Sequence, residues 1–147
     1  MAPLPGSVLF ACSMNAIRSP MAEAILKSLH GRRIFVDSAG VRQGERDPLA
    51  VEVLDEIGID LAKHRPKRFD DLEDSFFDLV ISLSPEAQHR AVELTRTSSC
   101  ELEFWHLPDP SVVEGSRDQR RSAYAALRDD LVRRIHKRFP IGPSPLD

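Results

Sequence analysis

Short apolar runs alternate with amphipathic stretches along most of the chain. Ser7-Val8-Leu9-Phe10-Ala11 is an apolar run of the kind a buried strand presents. Ser19-Pro20 follows, a cap residue and then a first-turn proline, and predicts the start of a helix. Met21, Ile25 and Leu29 recur at four-residue spacing as its buried stripe, and Gly31 ends it. Ile34-Phe35-Val36 reads as a second strand. Asp47-Pro48 repeats the cap-and-proline start; Ala50, Val53, Leu54 and Ile57 supply an apolar face, and Gly58 closes that helix. Residues 77–83 (FDLVISL) carry the clearest strand pattern. Ser84-Pro85-Glu86 opens a third helix running to about Leu94, and residues 102–105 give a fourth strand. The last helix carries Tyr124, Leu127, Leu131, Ile135 and Phe139 on one side. Pro140, Pro143 and Pro145 make residues 140–147 an irregular tail.

Strands separated by helices need crossover connections. The expected fold class is α/β: one three-layer domain over residues 1–147, with a four-stranded parallel sheet and helices on both faces. Ligands of such sheets sit beyond the C-terminal strand ends, where a loop feeds a helix N-terminus. The loop between the first strand and the first helix is therefore the first to inspect.

Composition narrows the classes. A chain of 147 residues, 41% hydrophobic and 29% charged with the charges interspersed, is one globular domain rather than a disordered tail. A net charge of -3 lends no support to nucleic acid as a partner. The basic clusters Arg32-Arg33, 63–68 and 133–138 read as solvated faces. Two cysteines, Cys12 and Cys100, are too few for a disulfide framework, and a reducing intracellular setting follows. The N-terminus lacks a basic-then-apolar leader, and no apolar run approaches the roughly 20 residues of a membrane helix. The expected location is the cytoplasm, with no membrane partner. Histidines 30, 64, 89, 106 and 136 show no metal-ligand spacing, and no glycine-rich nucleotide motif is present. No metal or cofactor is expected.

The loop reads Cys12-Ser13-Met14-Asn15-Ala16-Ile17-Arg18-Ser19-Pro20. In such a strand-to-helix turn the backbone N–H groups converge, and the helix dipole adds positive charge. The result is an anion cradle built from residues 13–19. Arg18 adds a planar fork able to grip two phosphate oxygens. The positive field favours thiolate over thiol at Cys12. The Ser19 hydroxyl is placed to donate to the sulfur. A thiolate under a bound phosphate can attack phosphorus in line with the leaving oxygen, giving a phosphocysteine that water then hydrolyses. Taken singly, a strand-end cysteine is a small buried hydrophobe and a loop arginine a surface charge. The combination of Cys, five intervening residues, Arg, Ser and Pro at this junction points to chemistry.

CSMNAIRSP resembles the Cys-x-x-Asn-x-x-Arg-Ser loop of the low-molecular-weight protein tyrosine phosphatases, a family that also holds one class of arsenate reductases. The resemblance implies a flavodoxin-like phosphatase type I fold. It implies Cys12 as nucleophile, Arg18 as the phosphate-binding arginine, Ser19 as the thiolate-supporting hydroxyl and Asn15 as the residue holding the strained loop. Asp37-Ser38-Ala39-Gly40 is similar to the family's segment after strand two, where the serine supports the asparagine. The resemblance also implies that His64 belongs to the hydrogen-bond network behind the loop, a partly exposed surface histidine being the alternative. Leu107-Pro108-Asp109-Pro110 is similar to the late loop that supplies the general acid, Asp109. The implied ligands are a phosphorylated protein or small phosphomonoester, phosphotyrosine foremost, with inorganic phosphate or other oxyanions.

The chain also departs from the family pattern. Met14 stands where the family usually has glycine, which predicts a loop strained or rearranged at that position. Ile17 stands where many members carry a second cysteine, so Cys12 has no disulfide partner within the loop. Ser111 follows Pro110 where a tyrosine is usual, and 41–44 offers no rim aromatic. Arsenate reduction on the same loop, with an external thiol carrier, and phosphate binding without turnover are the competing readings.

Overall fold

The computed structural model describes residues 4–73 and 76–141. Four strands, β1 (Ser7–Cys12), β2 (Phe35–Gly40), β3 (Leu79–Ser82) and β4 (Glu101–Phe104), form one sheet in the order β2-β1-β3-β4. Every pairing is parallel: Ser7 lies opposite Phe35, Val8 opposite Leu79, and Leu79 opposite Glu101. Four helices, α1 (Arg18–His30), α2 (Pro48–Asp55), α3 (Pro85–Leu94) and α4 (Arg117–Arg138), fill the crossovers and the C-terminal stretch. The α/β fold with helices on both faces is as the alternation predicts.

Alternation along β1 separates two cores. Val8, Phe10 and Cys12 face the larger one, with Met21 and Leu26 of α1, Val53 of α2, and Tyr124 and Leu131 of α4. Leu9 and Ala11 face the smaller one, with Ala87 and Ala91 of α3 and Phe69. A strand covered on both sides reads as an unbroken apolar run, as 8–11 does. The same period sets Cys12 on the α1 and α4 side of the sheet, at the strand's last residue.

Two helix starts follow their sequence signals. Asp47 caps α2 through Oδ1 with Pro48 behind it, and Ser84 caps α3 by accepting from the Ala87 N–H at 3.2 Å. The first helix does not. Its cap position is Ile17, without a side-chain bond, and Ser19 lies inside α1 because its hydroxyl is taken by Cys12. The expected stripe of α1 is also shifted: Met21 and Ile25 are buried with Ala22 and Leu26, while Leu29 is half-buried. Ile57 lies beyond the end of α2 and is exposed.

The second strand runs through the polar stretch to Gly40, well past the expected Ile34-Phe35-Val36, because its polar residues find partners: Ser38 bonds Asn15 of the loop and Asp37 pairs with Lys67. The third and fourth strands shift in the other direction or shorten, to Leu79–Ser82 and Glu101–Phe104. Pro143 and Pro145 of the expected tail lie outside the described residues. Among the described residues no helix is long and apolar enough to cross a membrane.

Candidate active site

β1 delivers Cys12 to the sheet's C-terminal edge, and the loop then turns back into α1. Its carbonyls face outward into a ring of donors. The N–H groups of Val41, Arg42 and Gly44 bond the oxygens of Cys12 (3.2 Å), Ser13 (2.8 Å) and Met14 (2.8 Å). His64 Nε2 lies 3.1 Å from the Asn15 oxygen, and Met21 N–H bonds the Ile17 oxygen at 3.0 Å. The amide N–H groups of residues 14–17 bond no carbonyl among the described residues. Carbonyls tied on one side and unpaired donors on the other make a concave array suited to an anion.

Asn15 is the residue that bends the turn. Its φ of 52° is left-handed, the sole such non-glycine angle among the described residues, and asparagine tolerates it better than most. The expected strain at Met14 is thus absent: the left-handed angle falls one residue later. Gly44 supplies the space for Met14, since a Cβ added there would lie 3.0 Å from the Met14 Cβ.

Asn15 is fully buried and its amide is fully used. Nδ2 donates to Ser19 Oγ and to Ser38 Oγ, each at 2.9 Å, and Oδ1 accepts from the Lys67 N–H at 2.9 Å. Ser19 Oγ lies 2.8 Å from Cys12 Sγ. Ser38 donates to the buried carboxylate of Glu23, which pairs with Lys27. A carbonyl only accepts, so His64 Nε2 carries the proton it gives to Asn15. Burial pushes the His64 imidazole below its ordinary value of 6.5, against the opposing pull of that bond.

In front of the loop lies a cleft of about 190 Å³. Cys12, Arg18 and Asp109 all open onto it, with Met14, Ala16 and Ile17 as its apolar wall. Arg18 Nη1 donates to the Leu107 oxygen at 3.1 Å, which fixes one edge of the guanidinium beside the loop that bears Asp109. Asp109 accepts from the Ser111 N–H (2.9 Å) and hydroxyl (2.7 Å), both on Oδ1. Glu45 and Asp47 form the facing wall; Tyr124 donates to Asp47 Oδ2 at 2.8 Å. Burial, then the Asp47 bond, pushes the Tyr124 phenol far up, so it stays a neutral donor. A larger open groove of about 630 Å³ runs behind the loop, past Glu23, His64 and Lys67.

The model of the family described as low molecular weight phosphotyrosine protein phosphatase matches residues 7–139. This chain belongs to that family. Curated relatives include the arsenate reductase of Halalkalibacterium halodurans, 31% identical over 128 residues, covering 87% of this chain and 91% of the relative. The arsenate reductase of Bacillus licheniformis is 31% identical over 133 residues, covering 90% and 94%. Among solved structures, the low molecular weight protein tyrosine phosphatase of T. tengcongensis superposes with a TM-score of 0.71 at 29% identity, covering 89% of this chain and 95% of that one. An arsenate reductase in its oxidized state gives a TM-score of 0.73 at 26% identity, covering 90% and 95%.

The phosphatase-family loop thus gathers Cys12, Arg18 and Asp109 at one cleft, with Asn15, Ser19, Ser38 and His64 behind it. Ser13 points elsewhere: its hydroxyl is 3.1 Å from that of Ser84, tying the loop to the start of α3. Three supporting residues have roles that no sequence signal above assigns. Glu23 reads as an ordinary helix-face acid, and Lys67 contributes a backbone N–H that any residue except proline would supply. At Gly40 an added Cβ would meet the Asn15 nitrogen at 2.7 Å and the Met14 carbonyl carbon at 2.8 Å. A glycine ending a strand beside a suspected phosphate loop was the available hint.

Proposed function

We propose that this chain hydrolyses phosphate monoesters, phosphotyrosine in proteins among them, through a phosphocysteine intermediate. The carrying observation is that Cys12, Arg18 and Asp109, brought from the end of β1, the start of α1 and the loop after β4, share one small cleft beside unpaired amide donors. In this reading the Cys12 sulfur attacks phosphorus and the ester oxygen leaves with a proton from Asp109. Oδ2 is the oxygen to carry that proton, since Oδ1 is engaged by Ser111. Arg18 and the amides of residues 13–19 hold the three equatorial oxygens. Asp109 then takes a proton from water as it attacks the phosphocysteine, releasing inorganic phosphate and restoring the thiolate. A related arsenate reductase, 26% identical, has been solved in a phosphate binding state, which supports oxyanion binding in this loop. A cytoplasmic setting suits a catalytic thiol, and both cysteines are free.

Arsenate reduction is the second reading, favoured by the names of the curated relatives. Arsenate would occupy the same cradle, and two electrons from thiols would reduce it to arsenite. Cys100, the only other thiol, is half-buried, and burial pushes its thiol up, away from the reactive thiolate. A reductase built on this chain would need an external thiol carrier. An aryl phosphate assay run beside an arsenate-dependent thiol-consumption assay separates the readings. The expected result is aryl phosphate turnover that Cys12→Ser abolishes. Arsenate-driven thiol oxidation without phosphatase turnover would replace this reading with the second. Phosphate binding with neither activity would leave a binding module.

A further inference from the structure

Glu23 is a buried carboxylate that the cleft chemistry does not use. It lies on α1, with Oε1 accepting from the Ser38 hydroxyl and Oε2 paired with Lys27. Ser38 Oγ accepts from Asn15 Nδ2 at 2.9 Å, the second Asn15 N–H goes to Ser19 Oγ at 2.9 Å, and Ser19 Oγ sits 2.8 Å from Cys12 Sγ. One unbroken series of hydrogen bonds therefore runs from a carboxylate to the reacting sulfur.

Its direction is fixed by two partners that cannot reverse. An ionised carboxylate only accepts, and a backbone N–H only donates. Glu23 takes the Ser38 proton, so Ser38 turns a lone pair to Asn15. The Lys67 N–H, 2.9 Å from Asn15 Oδ1, draws the amide oxygen away from both serines. The amide NH₂ must then face them. Ser19 Oγ receives one of those protons, and its own hydrogen is left for the sulfur. In the reversed order, with the Asn15 amide turned over, Ser19 would donate to Oδ1 and present a lone pair to the sulfur. That arrangement disfavours a thiolate.

We propose that Glu23 is a positioning residue for Cys12: together with the Lys67 N–H it fixes the proton order of the Ser38–Asn15–Ser19 series and so keeps the Ser19 hydroxyl donating to the Cys12 thiolate. The inference rests on Cys12 acting as a thiolate, whichever oxyanion it attacks. Two roles for Glu23 differ in sign. As a bare negative charge it disfavours the thiolate, so its removal would make Cys12 more reactive. As the anchor of the proton order it favours the thiolate, so its removal makes Cys12 less reactive. Lys27, paired with Glu23, and His64, which feels the charges of Glu23, Lys27 and Lys67, are titratable groups beside it.

Alkylation by iodoacetamide at neutral pH, in a Cys100→Ala background, reads the Cys12 thiolate without turnover and so stands even if the phosphatase reading fails. Glu23→Met, which offers no acceptor, slows alkylation by roughly 3- to 10-fold, the effect of one hydrogen bond on the thiolate. Glu23→Gln, whose amide oxygen still accepts the Ser38 proton, stays within about twofold of the unsubstituted protein. An unchanged or faster rate in Glu23→Met, or equal slowing in both variants, overturns the proposal. Should Glu23→Met not fold, nuclear magnetic resonance on the unsubstituted protein supplies the test. Both Asn15 side-chain amide protons are then slow to exchange; rapid exchange of either overturns the proton order.

Discussion

The two sides of the Cys12–Ser19 loop are built differently. Behind it, Asn15, Ser19 and Ser38 are fully buried, and every polar group among them has a partner. In front, the amides of residues 14–17 bond no carbonyl among the described residues, and the cleft is open, with its wall residue Met14 39% exposed. The difference shows where a loop can hold unpaired donors: only where the opposite side is ordered enough to keep those donors from turning inward to find acceptors. The back fixes the geometry and the front leaves it available to an oxyanion.

Substitutions on the two sides should therefore fail in different ways. Arg18→Lys strikes the front, replacing a planar guanidinium fork by a point charge. The expected loss in kcat/KM is about 100-fold or more with thermal stability nearly unchanged, measured with an aryl phosphate; unchanged turnover would remove the bidentate clamp. Asp109→Asn should slow substrates with poor leaving groups roughly 10- to 100-fold and those with good leaving groups much less. A leaving-group series checks it, and equal slowing across the series would argue against Asp109 as the acid.

Asn15→Ala strikes the back. It removes three buried hydrogen bonds and puts a less suited residue at a left-handed angle, for a cost of about 3 kcal/mol by denaturant melts. Here stability and activity should fall together, unlike in Arg18→Lys. His64 gives a smaller and pH-dependent effect. Burial holds its imidazole below 6.5 when folded, so the unfolded chain binds the proton more tightly. Stability is then full above that value and declines as pH drops below it. His64→Leu should lose that part of the acid slope while remaining folded at neutral pH. Glu45→Gln, at the exposed rim, is the smallest change: within about 0.5 kcal/mol in stability, with any effect confined to substrate preference.

Much of this contrast is legible in the residues themselves. Apolar runs and helix starts give the sheet order's ingredients, and the Cys12 to Pro20 spacing marks the loop. The back of the site is less legible because its partners are set by tertiary register. Ser38 reaches Asn15 because Phe10 pairs with Ser38 and Cys12 with Gly40 across parallel strands, a register no local pattern states. Glu23 is spaced like a surface acid on α1 and becomes buried only when β2 packs beside it. Ser19 reads as a helix cap for a related reason: its local chemistry is that of a cap, but the sulfur seven residues earlier takes the hydroxyl. Met14 misleads in the opposite sense, since a glycine rule for one position says nothing of the angle moving to Asn15.

The proposed hydrolysis requires covalent transfer to one sulfur. In Asp109→Asn an aryl phosphate bearing a good leaving group still forms the intermediate, whose breakdown is slowed by loss of the carboxylate base, and rapid-quench mass spectrometry reads what accumulates. A phosphoryl group should accumulate on the peptide that contains Cys12, and none should appear in Cys12→Ser. Release of phosphate at full rate by Cys12→Ser, or a phosphoryl group carried on any other residue, would contradict it.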